Sequence, residues 1–288
     1  MKILVTGSNG QLGNEMRLLT SQYPGHSFLF TDIAELDICD KSAVEEMVAG
    51  KNIQVIVNCA AYTAVDKAEQ EPQQALKLNA GAVENLCEVS QNHNIFLVHI
   101  STDYVFDGLK SGFYSETDNT NPVSVYGKTK RKAEEIILQY QIPSFIIRTS
   151  WLYSSFGNNF VKTILRLSKE KPFLNIVSDQ IGAPTYARDL AQAVMKMISS
   201  GKLPQHPEIY HYANEGKISW YDFALAIVEL TNGNIPVNPI PAKDYPVAAT
   251  RPANSMFCLD KIKADFDISI PFWKDSLKDC LNILMNKQ

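Results

Sequence analysis

Short apolar runs alternate with longer amphipathic stretches through the first half of the chain. The pattern predicts strands at 2–5, 27–31, 54–57, 95–100 and 144–148, with helices between them at 10–20, 42–48, 72–92 and 126–139. Ser42 is the predicted N-cap of its helix, with Glu45 at the capping-box position. Strands separated by helices pair in parallel and are covered on both faces. The pattern therefore predicts a doubly wound α/β domain whose ligands bind where the carboxyl ends of the strands meet.

In the second half of the chain, predicted strands and helices alternate less regularly. Helices are predicted at 158–169, 188–198, 219–230 and 273–285, and proline-rich joints such as 234–246 separate them. We expect a first domain over residues 1–150 and a smaller α/β lobe over 151–288, with some segments of the second half returning to the first domain.

Composition excludes several classes of protein. The 288 residues carry a net charge of −4, which argues against a basic nucleic-acid-binding surface. No apolar run approaches the roughly 18 residues of a membrane span, and the N-terminus is too short for a signal-peptide core. Five cysteines without C-x-x-C spacing favour reduced thiols. We therefore predict a cytoplasmic protein without a nucleic-acid or membrane partner.

A glycine-rich turn follows the first predicted strand and opens the first helix. Its pattern, Gly7-x-x-Gly10-x-x-Gly13, lets backbone amides approach a pyrophosphate at a helix N-terminus. Asp32 follows the second strand, where a carboxylate binds ribose hydroxyls and favours NADH, although one acid does not exclude NADPH. The sequence therefore predicts a Rossmann-like cofactor domain that binds NADPH or NADH. The predicted cofactor contacts are Gly7, Gly10, Gln11, Leu12, Gly13, Asp32, Asp37, Ile38, Ala60, Ala61, Tyr62 and Thr63.

Tyr126 and Lys130 form the candidate catalytic pair. They lie four residues apart on one helix face, after a strand that ends in Ser101-Thr102-Asp103. This order brings a hydroxyl, a phenol and an ammonium to the cofactor edge of the sheet. A neighbouring ammonium is expected to lower the pKa of the phenol and to contact the nicotinamide ribose. We predict Thr102, Tyr126 and Lys130 as catalytic, with the last two also binding the cofactor.

The histidines do not form a metal site in the pattern. His93 and His99 flank one strand, His206 and His211 flank another, and neither pair falls on one face. We interpret them as structural or surface residues.

Together these motifs resemble the extended short-chain dehydrogenase/reductases. The similarity is strongest to members that reduce the 4-keto group of a dTDP-linked deoxysugar. It extends over residues 1 to about 260 and includes five further strings: 57–69, 148–151, 157–160, 179–185 and 251–255. The resemblance implies reduction of dTDP-4-dehydro-6-deoxy-L-mannose to dTDP-L-rhamnose, with Tyr126 as proton donor. It also implies substrate contacts by Thr102, Asp103, Trp151 and Arg251, the last on the diphosphate or else in a surface ion pair.

Alternatives remain open on the same scaffold. A nucleotide-sugar epimerase or dehydratase would hold NAD⁺ tightly, and a non-catalytic nucleotide-binding regulatory subunit would share the fold without the activity. Some family members bind Mg²⁺ through acids at a dimer interface; Glu15 is available here, but Arg188 stands where a further acid is expected. We therefore predict no metal-binding residues, keep Mg²⁺ among the candidate cofactors, and expect a monomer or a homodimer.

Overall fold

The computed structural model describes residues 1–286; residues 287 and 288, which the second predicted domain includes, lie outside the described part. The strands, in chain order, are β1 (Lys2–Thr6), β2 (Ser27–Phe30), β3 (Val55–Asn58), β4 (Phe96–Thr102), β5 (Ser144–Thr149), β6 (Leu152–Tyr153), β7 (Leu174–Val177), β8 (Ile181–Gly182), β9 (Thr185–Tyr186), β10 (Pro207–Tyr212), β11 (Ile218–Ser219) and β12 (Val237–Ile240). The helices are α1 (Gln11–Leu19), α2 (Lys41–Lys51), α3 (Val65–Ala68), α4 (Pro72–Leu76), α5 (Ala82–His93), α6 (Val125–Tyr140), α7 (Phe160–Glu170), α8 (Ala187–Ser199), α9 (Trp220–Leu230), α10 (Asp260–Phe266) and α11 (Trp273–Met285).

A six-stranded parallel sheet forms the centre of the molecule. Its order is β10-β5-β4-β3-β1-β2, so the chain reverses direction across the sheet between β1 and β3. Apolar side chains of α1, α8 and α10 pack on one face, and those of α2, α5 and α6 pack on the other. The predicted doubly wound α/β fold is confirmed. Its ligand edge lies at the carboxyl ends of β1, β3 and β4.

The second half of the chain builds a smaller lobe and also completes the sheet. Its core is an aromatic cluster that includes Tyr153, Phe223 and Trp273. Strand β10 leaves this lobe and pairs in parallel with β5, with Tyr210 opposite Ile147. The proline-rich joint contains β12, which pairs with β7 outside the main sheet.

Two local predictions were wrong. The N-cap of α2 is Asp40, whose side chain accepts a hydrogen bond from the Ala43 amide, and Ser42 already lies within the helix. The Asp40 carboxylate satisfies an orphan amide of the first turn in the way predicted for the serine, but two residues earlier in the chain. The helix predicted over 72–92 is interrupted by a π-helical turn at Lys77–Gly81 between α4 and α5. Such turns are frequent beside functional sites.

Within residues 1–286, none of the helices has the length and apolar character needed to cross a membrane.

Candidate active site

A cavity of about 820 Å³ opens at the carboxyl edge of the sheet, between the sheet and the second lobe. Most of the predicted site residues line it. These are Gly7, Gly10, Gln11, Leu12, Asp32, Asp37, Ile38, Ala60, Ala61, Thr63, Thr102, Asp103, Tyr126, Lys130 and Trp151. Gly13, Tyr62 and Arg251 lie outside this lining.

The glycine-rich turn closes one end of the cavity. Gly7 has a positive φ of +61°, and a Cβ there would lie 2.6 Å from the Ala60 amide nitrogen. A Cβ on Gly13 would lie 2.5 Å from Cα of Ser8, so this glycine permits close packing of α1 against the turn. Gly10 is the N-cap of α1 and supplies no side-chain hydrogen bond. The helix N-terminus is thus open to the cavity and suits a diphosphate.

Asp32 stands at the end of β2, where the carboxylate accepts hydrogen bonds from the amides of Asn9 and Ile33. These bonds fix its direction and leave lone pairs for ribose hydroxyls. Arg17, which the sequence argument missed, lies close by. Its guanidinium donates to Ser8 Oγ at 3.1 Å and covers the Phe30 ring at 4.3 Å. A cation and a carboxylate therefore flank the same turn.

The segment after β3 is held by the π-helical turn. Asn79 in that turn accepts from the Tyr62 amide at 2.8 Å and donates to the Tyr62 carbonyl at 3.2 Å. The Tyr62 hydroxyl donates to Glu71, and Tyr62 is not among the residues that line the cavity. Ala60, Ala61 and Thr63 remain as the lining residues of this segment.

Tyr126 lies in the first turn of α6, which Ser124 caps by accepting from the Gly127 amide at 3.1 Å. A Cβ on Gly127 would lie 2.2 Å from the Tyr104 carbonyl oxygen, so this helix end packs directly on the loop after β4. The Tyr104 ring meets the Tyr126 ring edge to face at 5.4 Å. Tyr104 lines the cavity and is a second residue that the sequence argument missed.

The charges at the catalytic pair differ from the expectation. Burial raises the pKa of Tyr126 to about 12, against a lowering effect of its hydrogen bond with Thr102. Burial also lowers the pKa of Lys130 to about 8. Lys130 Nζ donates to the Ile100 carbonyl at 2.7 Å and lies 3.1 Å from His99 Nε2. The expected lowering of the phenol pKa by Lys130 is therefore not what this arrangement produces, because desolvation of the phenol dominates.

Thr102 and Asp103 connect the catalytic edge to a remote segment. Thr102 Oγ1 donates to Asp103 Oδ1 at 3.0 Å, and Ser255 Oγ donates to Asp103 Oδ2 at 2.6 Å. Burial raises the pKa of Asp103 to about 6, although these hydrogen bonds oppose the rise. Asp103 therefore loses its proton near pH 6, about two pH units above an ordinary aspartate.

Two stacked tryptophans form the wall of the cavity toward the second lobe. The Trp151 and Trp220 rings lie 3.7 Å apart at an interplanar angle of 12°. Trp151 has a positive φ of +47°, a strained conformation for a bulky residue. Trp220 is the first residue of α9 and lies between Ser219 and Asp222, which form a capping box. The box was a usable signal for the helix start, but the pattern does not indicate that the helix start faces this cavity.

Arg251 makes a bidentate ion pair with Asp66. Nη1 and Nη2 contact the two carboxylate oxygens at 3.1 and 2.6 Å. The pair ties the segment before Ser255 to α3. Of the two roles considered, the ion pair is the one present in this arrangement.

The residues considered for Mg²⁺ do not fit a metal ion. Glu15 accepts from Ser154 Oγ at 2.6 Å and from Arg188 Nε at 3.1 Å, so the guanidinium occupies the place of a cation. Within residues 1–286, no three His, Cys, Asp or Glu side chains come together in a way that could hold a metal.

Comparison with known proteins places the chain in one family. The model described as RmlD substrate binding domain matches residues 1–286. The chain is similar to a dTDP-4-dehydrorhamnose reductase of Aggregatibacter actinomycetemcomitans, with 43% identity over 96% of this chain and 97% of the relative. It is also similar to the crystal structure of such a reductase from Clostridium acetobutylicum, at 40% identity and a TM-score of 0.92, covering 99% of this chain and 100% of that one. A Bacillus anthracis reductase solved in complex with NADP is 36% identical with a TM-score of 0.92, covering 98% and 99%. The chain belongs to the dTDP-4-dehydrorhamnose reductase family.

Proposed function

We propose that this protein reduces the C4 keto group of dTDP-4-dehydro-6-deoxy-L-mannose with NADPH or NADH and forms dTDP-L-rhamnose for cell-surface polysaccharides. The observation that carries the proposal is one cavity with a nucleotide-binding turn at one end and Thr102, Tyr126 and Lys130 at the other. The relatives named above are called dTDP-4-dehydrorhamnose reductases, and they are 36–43% identical to this chain.

The cofactor fits the glycine-rich end of the cavity. The open N-terminus of α1 would take the diphosphate, and Asp32 would accept hydrogen bonds from the adenosine ribose. Lys130 is within the lining and would reach the nicotinamide ribose after leaving the Ile100 carbonyl. When bound, the reduced cofactor supplies the hydride to C4 of the sugar.

Tyr126 supplies the proton in this reaction. Its raised pKa keeps the phenol protonated at neutral pH, which is the form needed to protonate the keto oxygen as it gains negative charge. The Thr102 hydroxyl donates to Asp103 and accepts from the Tyr104 amide, and it would turn its proton from Asp103 to the keto oxygen to align it. The stacked Trp151 and Trp220 offer a flat apolar surface for the deoxysugar ring.

The two halves of the chain divide the substrates between them. We propose that residues 1–150 bind mainly the cofactor and residues 151–288 mainly the nucleotide sugar. The first half carries 12 basic and 18 acidic residues and the second 15 and 13, so the substrate half is the more positive one.

The five free thiols suit a cytoplasmic location. A monomer and a homodimer both suit the proposal, because one chain lines the whole cavity.

The decisive experiment replaces the proton donor. Tyr126→Phe should lower kcat by at least ~100-fold, the scale of general acid catalysis, while the Kd for NADPH stays within a few-fold. The matched control is Tyr140→Phe, at the far end of the same helix, which should keep full activity. The assay follows NADPH and NADH oxidation with the dTDP-linked ketone made in situ, beside a UDP-linked sugar.

The same assay separates the alternatives. An epimerase or dehydratase would retain its cofactor through desalting and would not oxidise added NADPH. A regulatory subunit would bind NADPH without oxidising it. Unchanged turnover in Tyr126→Phe would refute the role given to that phenol.

A further inference from the structure

His99 occupies a buried position behind the catalytic pair. It lies on β4 with no exposed surface, and its strand neighbour on β3 is Asn58. The His99 ring nitrogen Nδ1 is 3.2 Å from Asn58 Nδ2, and Nε2 is 3.1 Å from Lys130 Nζ. The ring therefore bridges a buried amide and a candidate catalytic amine.

The hydrogen bonds of Asn58 determine the direction of this bridge. Asn58 Oδ1 accepts from the Ala60 amide at 3.1 Å and from Thr6 Oγ1 at 2.8 Å. A backbone N–H can only donate, so the carbonyl oxygen of the side chain must point toward Ala60. The amide NH₂ then points to His99 and donates to Nδ1. A neutral imidazole that accepts at Nδ1 carries its proton on Nε2.

The neutral form of the ring has independent support. Burial lowers the pKa of His99 well below its ordinary value, so the ring is uncharged near neutral pH. The Nε2–H bond is thus directed at Lys130 Nζ. An ammonium offers three donors and no acceptor, whereas an uncharged amine offers a lone pair.

We propose that His99 is a positioning residue that presents Nε2–H to Lys130 and favours its uncharged amine while the amine remains on β4. If Lys130 were charged, its N–H donors would face the Nε2–H donor of His99, and neither group would find an acceptor in the other. Tyr126, one turn before Lys130, and Asp103, just after β4, line the same cavity as Lys130. Glu134, one turn after Lys130, acts against the proposal because its charge raises the pKa of Lys130, but that carboxylate is already paired with Arg148.

This inference rests on the proposed function and refines it. With a pKa lowered to about 8, Lys130 has a larger uncharged fraction near neutral pH than an ordinary lysine, and only its ammonium form stabilises a phenolate. His99 therefore helps Tyr126 to retain the proton that reduction consumes. When the amine leaves His99, for example toward ribose hydroxyls, the donor conflict ends and Lys130 can take up a proton. The state of the phenol is thereby linked to the position of the amine.

The test measures the tautomer and the amine directly. In protein with ¹⁵N-labelled histidine and ¹³Cε-labelled lysine, the His99 signals are assigned with His99→Gln and the Lys130 signal with Lys130→Met. We expect the Nε2–H tautomer in the unchanged protein. In Asn58→Asp, a carboxylate that only accepts should draw the ring proton to Nδ1 and free Nε2 as an acceptor for the ammonium.

The Lys130 titration midpoint should then rise by about one pH unit or more in Asn58→Asp, and also in His99→Gln, whose carbonyl can accept from the amine. The alkaline limb of kcat/KM should move to lower pH in the same variants. An Nδ1–H tautomer in the unchanged protein would overturn the inference, even if neither variant folds. An unchanged Lys130 midpoint in both folded variants would overturn it as well. These spectra need no substrate, so a failure of the proposed reaction would leave them readable.

Discussion

A buried ion pair joins α6, the helix of Tyr126 and Lys130, to the sheet, and its removal should destabilise the protein more than removal of an exposed pair such as Arg166–Glu170. Arg148 on β5 and Glu134 on α6 are 1% and 0% exposed. The guanidinium contacts both carboxylate oxygens, with Nε at 2.9 Å and Nη2 at 2.7 Å. Ser101, next to Thr102, donates to the same carboxylate at 2.6 Å.

The geometry of the pair determines the expected loss in the free energy of unfolding. Arg148→Met leaves a buried carboxylate without its main partner, a change that typically costs about 3–5 kcal/mol. Arg131 still lies 3.2 Å from the second oxygen of Glu134, so we expect a value near the lower end, about 3 kcal/mol. Replacing both partners, as in Glu134→Leu with Arg148→Met, removes the stranded charge and should cost less than either single change.

Urea unfolding followed by circular dichroism measures these differences, and a double-mutant cycle isolates the coupling between the two residues. The control is Arg166→Met, which breaks an exposed pair with Glu170 on α7 and should cost about 0.5 kcal/mol or less. A double variant whose loss equals the sum of the two single losses would refute the argument, because the stranded charge would then contribute nothing.

Three further predictions concern the cavity. Arg17→Ala should raise the KM for NADPH about tenfold and leave that for NADH unchanged, since a guanidinium pairs with a phosphate that only NADPH carries; parallel kinetics with both cofactors check this. Asp103, with its pKa raised to about 6 from 3.8, makes the folded protein bind a proton more tightly, so its contribution to the free energy of unfolding is present below about pH 4 and is lost as pH rises to 6. Urea unfolding of Asp103→Asn across this range should lack that decline, which amounts to about 3 kcal/mol. Trp220→Ala should raise the KM for the nucleotide sugar more than that for NADPH, because Trp151 loses the ring on which it stacks.

The sheet was predictable because each of its first five strands is a short apolar run beside an amphipathic helix. The parallel arrangement then determines that Gly7 and Asp32, which follow strands, and Thr102, which ends one, lie at one edge. Strand β10 was not assigned to this sheet, because nothing local distinguishes Pro207–Tyr212 from a strand of the second lobe. Its pairing with β5 depends on contacts made across the whole fold.

Residues that reach the cavity, or the residues lining it, only through tertiary packing were missed for the same reason. Trp220 and Ser255 follow no strand of the main sheet, and their positions depend on how the second lobe packs. Arg17 lies one turn beyond the glycine pattern, and its contact with Ser8 appears only when the helix is seated on the turn. Local periodicity carries no information about such contacts.

Protonation was the property that spacing predicted least well. The four-residue interval between Tyr126 and Lys130 predicts that an ammonium lowers the pKa of the phenol, which is the requirement of an oxidation. Reduction needs the opposite state, a phenol that still holds its proton when the hydride arrives. Burial raises the pKa of Tyr126 to about 12, and Lys130 Nζ is engaged by the Ile100 carbonyl and by His99, so the phenol keeps its proton well above neutral pH.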